Sequence, residues 1–127
     1  MKSDEHIINS FVEWLRENFK RLTFKIYIPL NELVPEPKNK ILKRFWQCKW
    51  SHADISVFRH DKLCCIIEPG GYQHRTDKVQ ILRDKKKLQI CKENKIGFLS
   101  LANYTLDFRE HKEFKKLLKC HFYQESD

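Results

Sequence analysis

The stretch of sequence that decides the fold is ADISVFRHDKLCCIIE, residues 53–68. Residues 53–58 have the composition of a β-strand, and the polar tetrapeptide at 59–62 is typical of a tight turn. Residues 63–68 are apolar up to the final glutamate, which is typical of a central strand buried on both faces. This stretch therefore predicts a β-hairpin whose second strand ends in a carboxylate, Glu68.

The segments on either side of the hairpin predict alternating helices and strands. Apolar residues recur at helical or strand spacing in three of them, at 4–20, 22–29 and 107–121, and Thr76 is suited to cap the second helix. The predicted elements are a helix at 4–20, a strand at 22–29, a helix at 76–95, a strand at 96–102 and a helix at 107–121. We expect one α/β domain over 1–127, with a mixed sheet flanked by helices in αβββαβ order and an extra C-terminal helix.

The region between the first strand and the hairpin has no clear periodicity, and Pro35 and Pro37 exclude regular structure near its start. Its second half, KNKILKRFWQCKW at 38–50, interleaves basic and aromatic side chains. Cations suit phosphates and flat rings suit bases, so the segment is a candidate nucleic-acid contact. The alternative is a loop whose tryptophans fill the core.

The charge and the cysteine content limit the classes of function that fit this sequence. The chain has 25 Lys and Arg against 17 Asp and Glu, for a net charge of +8. Such a balance favours a polyanion partner, most often nucleic acid, although a solvated basic surface is the alternative. The five cysteines include no CxxC pair, and neither a membrane span nor a signal peptide is evident. We expect a cytoplasmic protein without a membrane partner.

Two carboxylates are candidates for chemistry. Asp54 and Glu68 fall at the same end of the two hairpin strands, and a one-residue shift or bulge decides whether they share a face. Together they would form a hard-oxygen site suited to Mg²⁺. The alternatives are an edge salt bridge or, for Glu68, a buried ion pair with Lys87. Phosphate-binding loops, a serine-hydrolase elbow and paired zinc ligands are absent from the sequence.

The helix predicted at 76–95 is strongly basic. Asp84, Lys87 and Cys91 fall on one face of it, so Lys87 can point toward the sheet. We expect Lys85, Lys86 and Lys92 to be solvated.

Four segments resemble those of a known nuclease group. EPGGYQH at 68–74 resembles the E-x-D-G-x-Q-H signature of phage and mobile-intron homing endonucleases, the very-short-patch-repair-like branch of the PD-(D/E)XK nuclease superfamily. RDKKKLQICKENKIGFLSL at 83–101 resembles the helix and strand that follow in that group. Ala53–Ser56 is similar to its F-D-F strand, and Ser3–Ile8 is similar to the start of its first helix. The resemblance implies a restriction-endonuclease-like core.

The resemblance also implies an activity, the Mg²⁺- or Mn²⁺-dependent hydrolysis of DNA phosphodiesters. Asp54 and Glu68 would hold the metal, with Glu5 as a third carboxylate. His74 would transfer a proton or contact phosphate, Lys87 would neutralise phosphate charge, and Asp84 would orient one of these or act as an acid. The residues expected to contact DNA are Gln73, Arg75, Lys43, Arg44, Lys78 and Arg83.

The sequence departs from the group's pattern at two places. Gly70 replaces the aspartate after the glutamate, and Ser100 replaces an arginine of the last strand. A catalytically degenerate module that binds nucleic acid, or an assembly subunit, is therefore the alternative function. An unrelated small basic protein is a third. Because so short a chain has no separate DNA-reading domain, specificity would come from a homodimer, a partner protein or the structure of the DNA.

Overall fold

The predicted mixed α/β architecture is confirmed. The computed structural model describes residues 4–69, 78–101 and 112–123. Within these ranges the elements are α1 (Asp4–Asn18), β1 (Thr23–Pro29), α2 (Leu30–Leu33), α3 (Lys40–Gln47), β2 (His52–Arg59), β3 (Lys62–Glu68), α4 (Lys78–Glu93), β4 (Gly97–Ser100) and α5 (Lys112–Phe122). The αβββαβ order is present, with two short helices between β1 and β2 and with α5 after β4.

The four strands form one mixed sheet in the order β1-β2-β3-β4. β1 pairs antiparallel with β2, and β2 pairs antiparallel with β3. β3 and β4 are parallel, so the chain must cross over between them, and α4 lies in that connection. β3 is thus an interior strand, and its residues from Cys65 to Glu68 are buried. This explains why its sequence is apolar without alternation.

The register of the hairpin places the two candidate carboxylates side by side. His60 and Asp61 both have positive φ, 52° and 63°, which is the backbone of the type I′ turns that connect two-residue hairpins. A register shift between Val57 and Phe58 then brings Ile55 opposite Ile67. One position further on, Asp54 falls opposite Glu68, on the same face. The irregularity thus places Asp54 and Glu68 on the same face of the sheet, which the sequence alone left open.

The sheet is covered on both faces. One core cluster joins α1 and α5 to the sheet and includes Phe11, Leu15, Ile67 and Phe122. A second cluster joins α2, α3 and α4 to the opposite face. No helix within the described ranges has the length and apolar character to cross a membrane.

The region predicted to be irregular contains α3. Its N-cap is Asn39, whose side-chain oxygen accepts hydrogen bonds from the backbone N–H groups of Ile41 and Leu42, at 2.8 and 3.1 Å. Asparagine followed by a short amphipathic segment is a pattern typical of a helix start. Pro35 and Pro37 both precede this segment, so they do not interrupt it. The prediction of irregular structure was therefore wrong for residues 40–47.

The two tryptophans of this region have different environments. Trp46 is half-buried against the second core, and its Nε1 donates to the carbonyl of Val34 at 3.0 Å. Trp50 is 69% exposed. Of the two alternatives for the segment, core filling thus applies to Trp46 but not to Trp50.

We predict that Asn39→Ala lowers the free energy of unfolding by about 1 kcal/mol, because two N–H groups at the start of α3 lose their acceptor. Asn39→Asp is the matched control, since it keeps an oxygen at the cap and adds a favourable charge at the helix N-terminus. Urea denaturation of the three proteins measures the difference. Equal losses in both variants would contradict the assigned capping role.

Candidate active site

Glu68 is the central residue of the candidate site. It lies at the carboxyl end of β3 and is fully buried. Its Oε1 accepts a hydrogen bond from Lys87 Nζ, and its Oε2 accepts one from the backbone N–H of Asp54 at 3.1 Å. Both carboxylate oxygens therefore have donors inside the protein, as a buried charge requires.

Lys87 reaches Glu68 because of its position on α4. It is 7% exposed and lies on the same buried side of the helix as Ile90 and Cys91. From this position its ammonium meets the carboxylate of Glu68. The predicted orientation of Lys87 toward the sheet is confirmed, and so is the ion pair considered as an alternative for Glu68.

The buried carboxyl group of Glu68 binds its proton more tightly than an ordinary glutamate does. Burial raises the pKa of Glu68 well above its usual range, and the charge of Asp54 adds to the rise, while the Lys87 ammonium opposes it. Burial, together with the charge of Glu68, also raises the pKa of Cys91 to about 12. Cys91 is therefore a neutral thiol beside the pair and a poor metal ligand.

Asp54 and His52 extend the site toward solvent. The Asp54 side chain is 16% exposed, and its Oδ1 lies 3.3 Å from His52 Nε2. Burial tends to raise the pKa of Asp54, but hydrogen bonds with His52 and Glu68 and the charge of Lys87 outweigh it, so the pKa is lowered. Asp54 is thus held ionised beside a glutamate that burial favours as neutral. Such a divergence between neighbouring carboxyls is typical of functional sites.

His52 is fixed by two acceptors. Its Nδ1 lies 3.1 Å from the carbonyl of Trp50, and its Nε2 faces Asp54. Both hydrogen bonds form together only in the imidazolium form, because a neutral ring has one donor. The ring of Tyr27 packs edge-on against it, with centroids 5.3 Å apart.

Tyr27, His52, Asp54 and Lys87 line a cleft of about 590 Å³, whereas Glu68 is buried and is not part of its wall. Its wall carries four cations against a single ionisable carboxylate among the described residues, Asp54. The cations are Arg44, Arg83, Lys86 and Lys87. Arg44 comes from α3 and the other three from α4, so the two helices bring positive charge to one opening. The cleft thus has the charge to attract a polyanion.

The environment of Lys86 differs from the one expected from the sequence. We expected it to be solvated, but it is half-buried, lines the cleft and lies with Nζ 5.7 Å from the ring centroid of Phe45 on α3. Lys85 and Lys92 are exposed, as expected.

The other predicted site residues are dispersed. Lys43 pairs with Glu36 at 2.9 Å outside the cleft lining, and Lys78 is exposed at the start of α4. Glu5 is exposed on the first turn of α1, and Asp84 is half-buried and accepts from Gln80 Nε2 at 3.3 Å. His74, Gln73, Arg75 and the departure at Gly70 lie outside the described residues.

The donor set suits Mg²⁺ in kind. Within 4–69, 78–101 and 112–123, no cluster of three or more His, Cys, Asp and Glu is arranged to hold a metal. Asp54 and Glu68 nevertheless lie side by side: Asp54 lines the cleft, and Glu68 is buried next to it with both oxygens hydrogen-bonded. Mg²⁺ characteristically binds through one or two carboxylates and retains several waters. Hard oxygen donors of this number are therefore compatible with that ion.

Neither His52 nor Tyr27 is among the site residues predicted from the sequence. The available signal was the spacing of His52 and Asp54, because residues two apart on a strand point to the same face. The sequence around Tyr27 does not indicate that it belongs to the site, because its backbone conformation is set by the tertiary structure.

We predict that Glu68→Ala lowers the free energy of unfolding by about 3–5 kcal/mol, because it leaves the Lys87 ammonium buried without its partner. The double variant Glu68→Leu/Lys87→Met should recover most of this loss, since it removes both charges and keeps the volume. Chemical denaturation measures both. If the double variant were as unstable as the sum of its single changes, the coupling would be absent.

Comparisons with known proteins identify no relative. Neither the family models, nor the curated proteins, nor the solved structures yield a match to this chain. The functional conclusion therefore depends on the geometry of the site and on the motif resemblance.

Proposed function

We propose that this protein is a metal-dependent DNA endonuclease or nickase of the very-short-patch-repair-like branch of the PD-(D/E)XK superfamily. The observation that carries the proposal is the fully buried Glu68, which is bonded to Lys87 and lies next to Asp54; both of these neighbours line a cleft that is rich in cations. A buried acidic group with altered proton affinity is costly for stability, and such costs concentrate at functional sites.

Asp54 and Glu68 would hold the Mg²⁺ or Mn²⁺. When bound, the ion would stabilise negative charge on the phosphate and lower the pKa of a coordinated water. Asp54 suits this role because its pKa is lowered and it is partly accessible. Glu68 suits it because the Asp54 N–H fixes one of its oxygens.

The cations would bind and orient the DNA. Lys87 lines the cleft and also bonds Glu68, so its charge lies between the carboxylate and an incoming phosphate. Arg44 and Arg83 supply planar donors suited to paired contacts with phosphate oxygens. Positioned charges of this kind are the main contribution of proteins to phosphoryl-transfer catalysis.

The topology adds support to the motif resemblance. The αβββαβ order brings the ends of β2 and β3 together and packs α4 over them. The residues that resemble the family's motif then come into contact: Asp54 and Glu68 from the hairpin, and Lys87 from the helix. If the motif similarity were due to chance, there would be no reason for Asp54, Glu68 and Lys87 to lie in contact.

A catalytically degenerate module is the second candidate. Two observations favour it: the aspartate expected after the glutamate is Gly70, and the described residues provide two acidic groups rather than three. Such a module would keep the cationic cleft and bind DNA without hydrolysing it.

We expect the wild-type protein to nick supercoiled plasmid in the presence of Mg²⁺ or Mn²⁺. Asp54→Asn and Glu68→Gln should each lower the rate by about 100-fold or more, because each removes a charge from the proposed metal site. Glu13→Gln is the matched control, since Glu13 is an exposed carboxylate on α1. Retained DNA binding without nicking in the wild type would favour the degenerate module.

We also expect the affinity for Mn²⁺ without DNA to increase with pH. Because the pKa of Glu68 is raised, a proton occupies the carboxyl at pH values where an ordinary glutamate is ionised, and the proton competes with the cation. Affinity should rise through this range and then level off. Titration calorimetry from pH 5 to pH 8 would measure it, with Asp54→Asn as the comparison. A pH-independent affinity, or one unchanged in that variant, would count against metal binding at this site.

A further inference from the structure

Exposed apolar and aromatic side chains line the same cleft, and the proposed hydrolysis does not account for them. Trp50 is 69% exposed, Ile41 is 65% exposed and Tyr27 is 40% exposed. In contrast, Trp14 and Trp46 pack against the two cores. Apolar surface concentrated at a polar opening is characteristic of a binding site rather than of a solvated face.

Tyr27 is held in a strained backbone conformation. Its φ is 55°, within strand β1, which is a region that residues other than glycine adopt only at an energetic cost. Its ring meets the ring of His52 at an interplanar angle of 80°. The strain thus accompanies a side chain that borders the candidate active site.

Trp50 is coupled to the carboxylates by a short chain of hydrogen bonds. Its carbonyl binds His52 Nδ1, and His52 Nε2 faces Asp54. Lys49 Nζ lies 5.0 Å from the centroid of the Trp50 ring. Trp50, His52 and Asp54 therefore follow one another along the wall of the cleft, and Lys49 lies beside the Trp50 ring.

The combination of rings and cations distinguishes between two forms of DNA. In a duplex each base is stacked on both faces, and the protein can reach only its edges. An unpaired base offers a free face, and stacking on an aromatic side chain contributes about 1–3 kcal/mol per base. The cations at Arg44, Arg83 and Lys86 serve the backbone of either form, but only an unpaired segment uses the exposed rings.

We propose that the cleft binds single-stranded DNA, with an unpaired base stacked on Trp50 beside Tyr27 and the adjoining phosphates on Arg44, Arg83 and Lys86. This places the preferred cleavage site at a single-stranded or branched region. The position of the cut rests on the proposed nuclease function, whereas the binding preference does not.

The test is the binding of a fluorescein-labelled oligothymidine in EDTA, where no metal-dependent cleavage occurs, compared with a duplex of equal length. We expect the single strand to bind more tightly. Trp50→Ala should weaken its binding by about 5- to 150-fold, which corresponds to the stacking free energy of one base, and Trp50→Phe should retain most of the affinity. Binding should also quench tryptophan emission, and this quenching should be lost in Trp50→Phe.

Tyr123→Ala is the control for loss of an exposed aromatic ring outside the cleft, because Tyr123 is 42% exposed and packs near Arg59. Circular dichroism verifies that each variant is folded. Equal or tighter duplex binding, or full affinity in Trp50→Ala, would overturn the inference. Single-strand binding that depends on Trp50, in a protein that nicks no DNA, would support the inference while refuting the nuclease function.

Discussion

The ion pair between Glu68 and Lys87 is the interaction around which the candidate site is organised. A fully buried carboxylate is tolerated only if its charge is compensated and its oxygens are bonded. Lys87 and the Asp54 N–H meet these needs, and they come from α4 and β2. The pair therefore ties the crossover helix to the hairpin at the edge where the cleft opens. A better-packed apolar pair would serve stability as well, so stability alone does not require the two charges here.

The geometry of the pair depends in turn on the hairpin register. The type I′ turn at His60 and Asp61 starts the pairing, and the irregularity at Val57 and Phe58 advances it by one residue. Without that shift, Asp54 would face the opposite side of the sheet from Glu68, because strand side chains alternate. A local distortion three positions away thus decides whether two carboxylates share one site. Irregularities of this kind are frequent beside functional sites.

The sequence predicted the elements well where periodicity was strong. The apolar run that ends at Glu68 indicated an interior strand, and the face shared by Asp84, Lys87 and Cys91 indicated that Lys87 points inward. What it could not predict depends on contacts between distant segments. Helix α3 was missed because prolines precede a short apolar pattern, although Asn39 was a usable cap signal. The place of Tyr27 beside His52 arises only once β1 pairs with β2, and local pattern contains no information on it.

The two faces of the sheet differ: one contains the larger hydrophobic core, and the other contains the candidate site. The face toward α1 and α5 is filled by an aromatic and aliphatic core that includes Phe11 and Phe122. The other face has the smaller core and also the buried ion pair, the strained Tyr27 and the exposed Trp50. Each of these three features lowers stability, by desolvation, backbone strain or exposed apolar surface. A chain with one well-packed face can tolerate such costs on the other. Their coincidence at one cleft is the strongest physical reason to regard that cleft as the functional site, whichever ligand it takes.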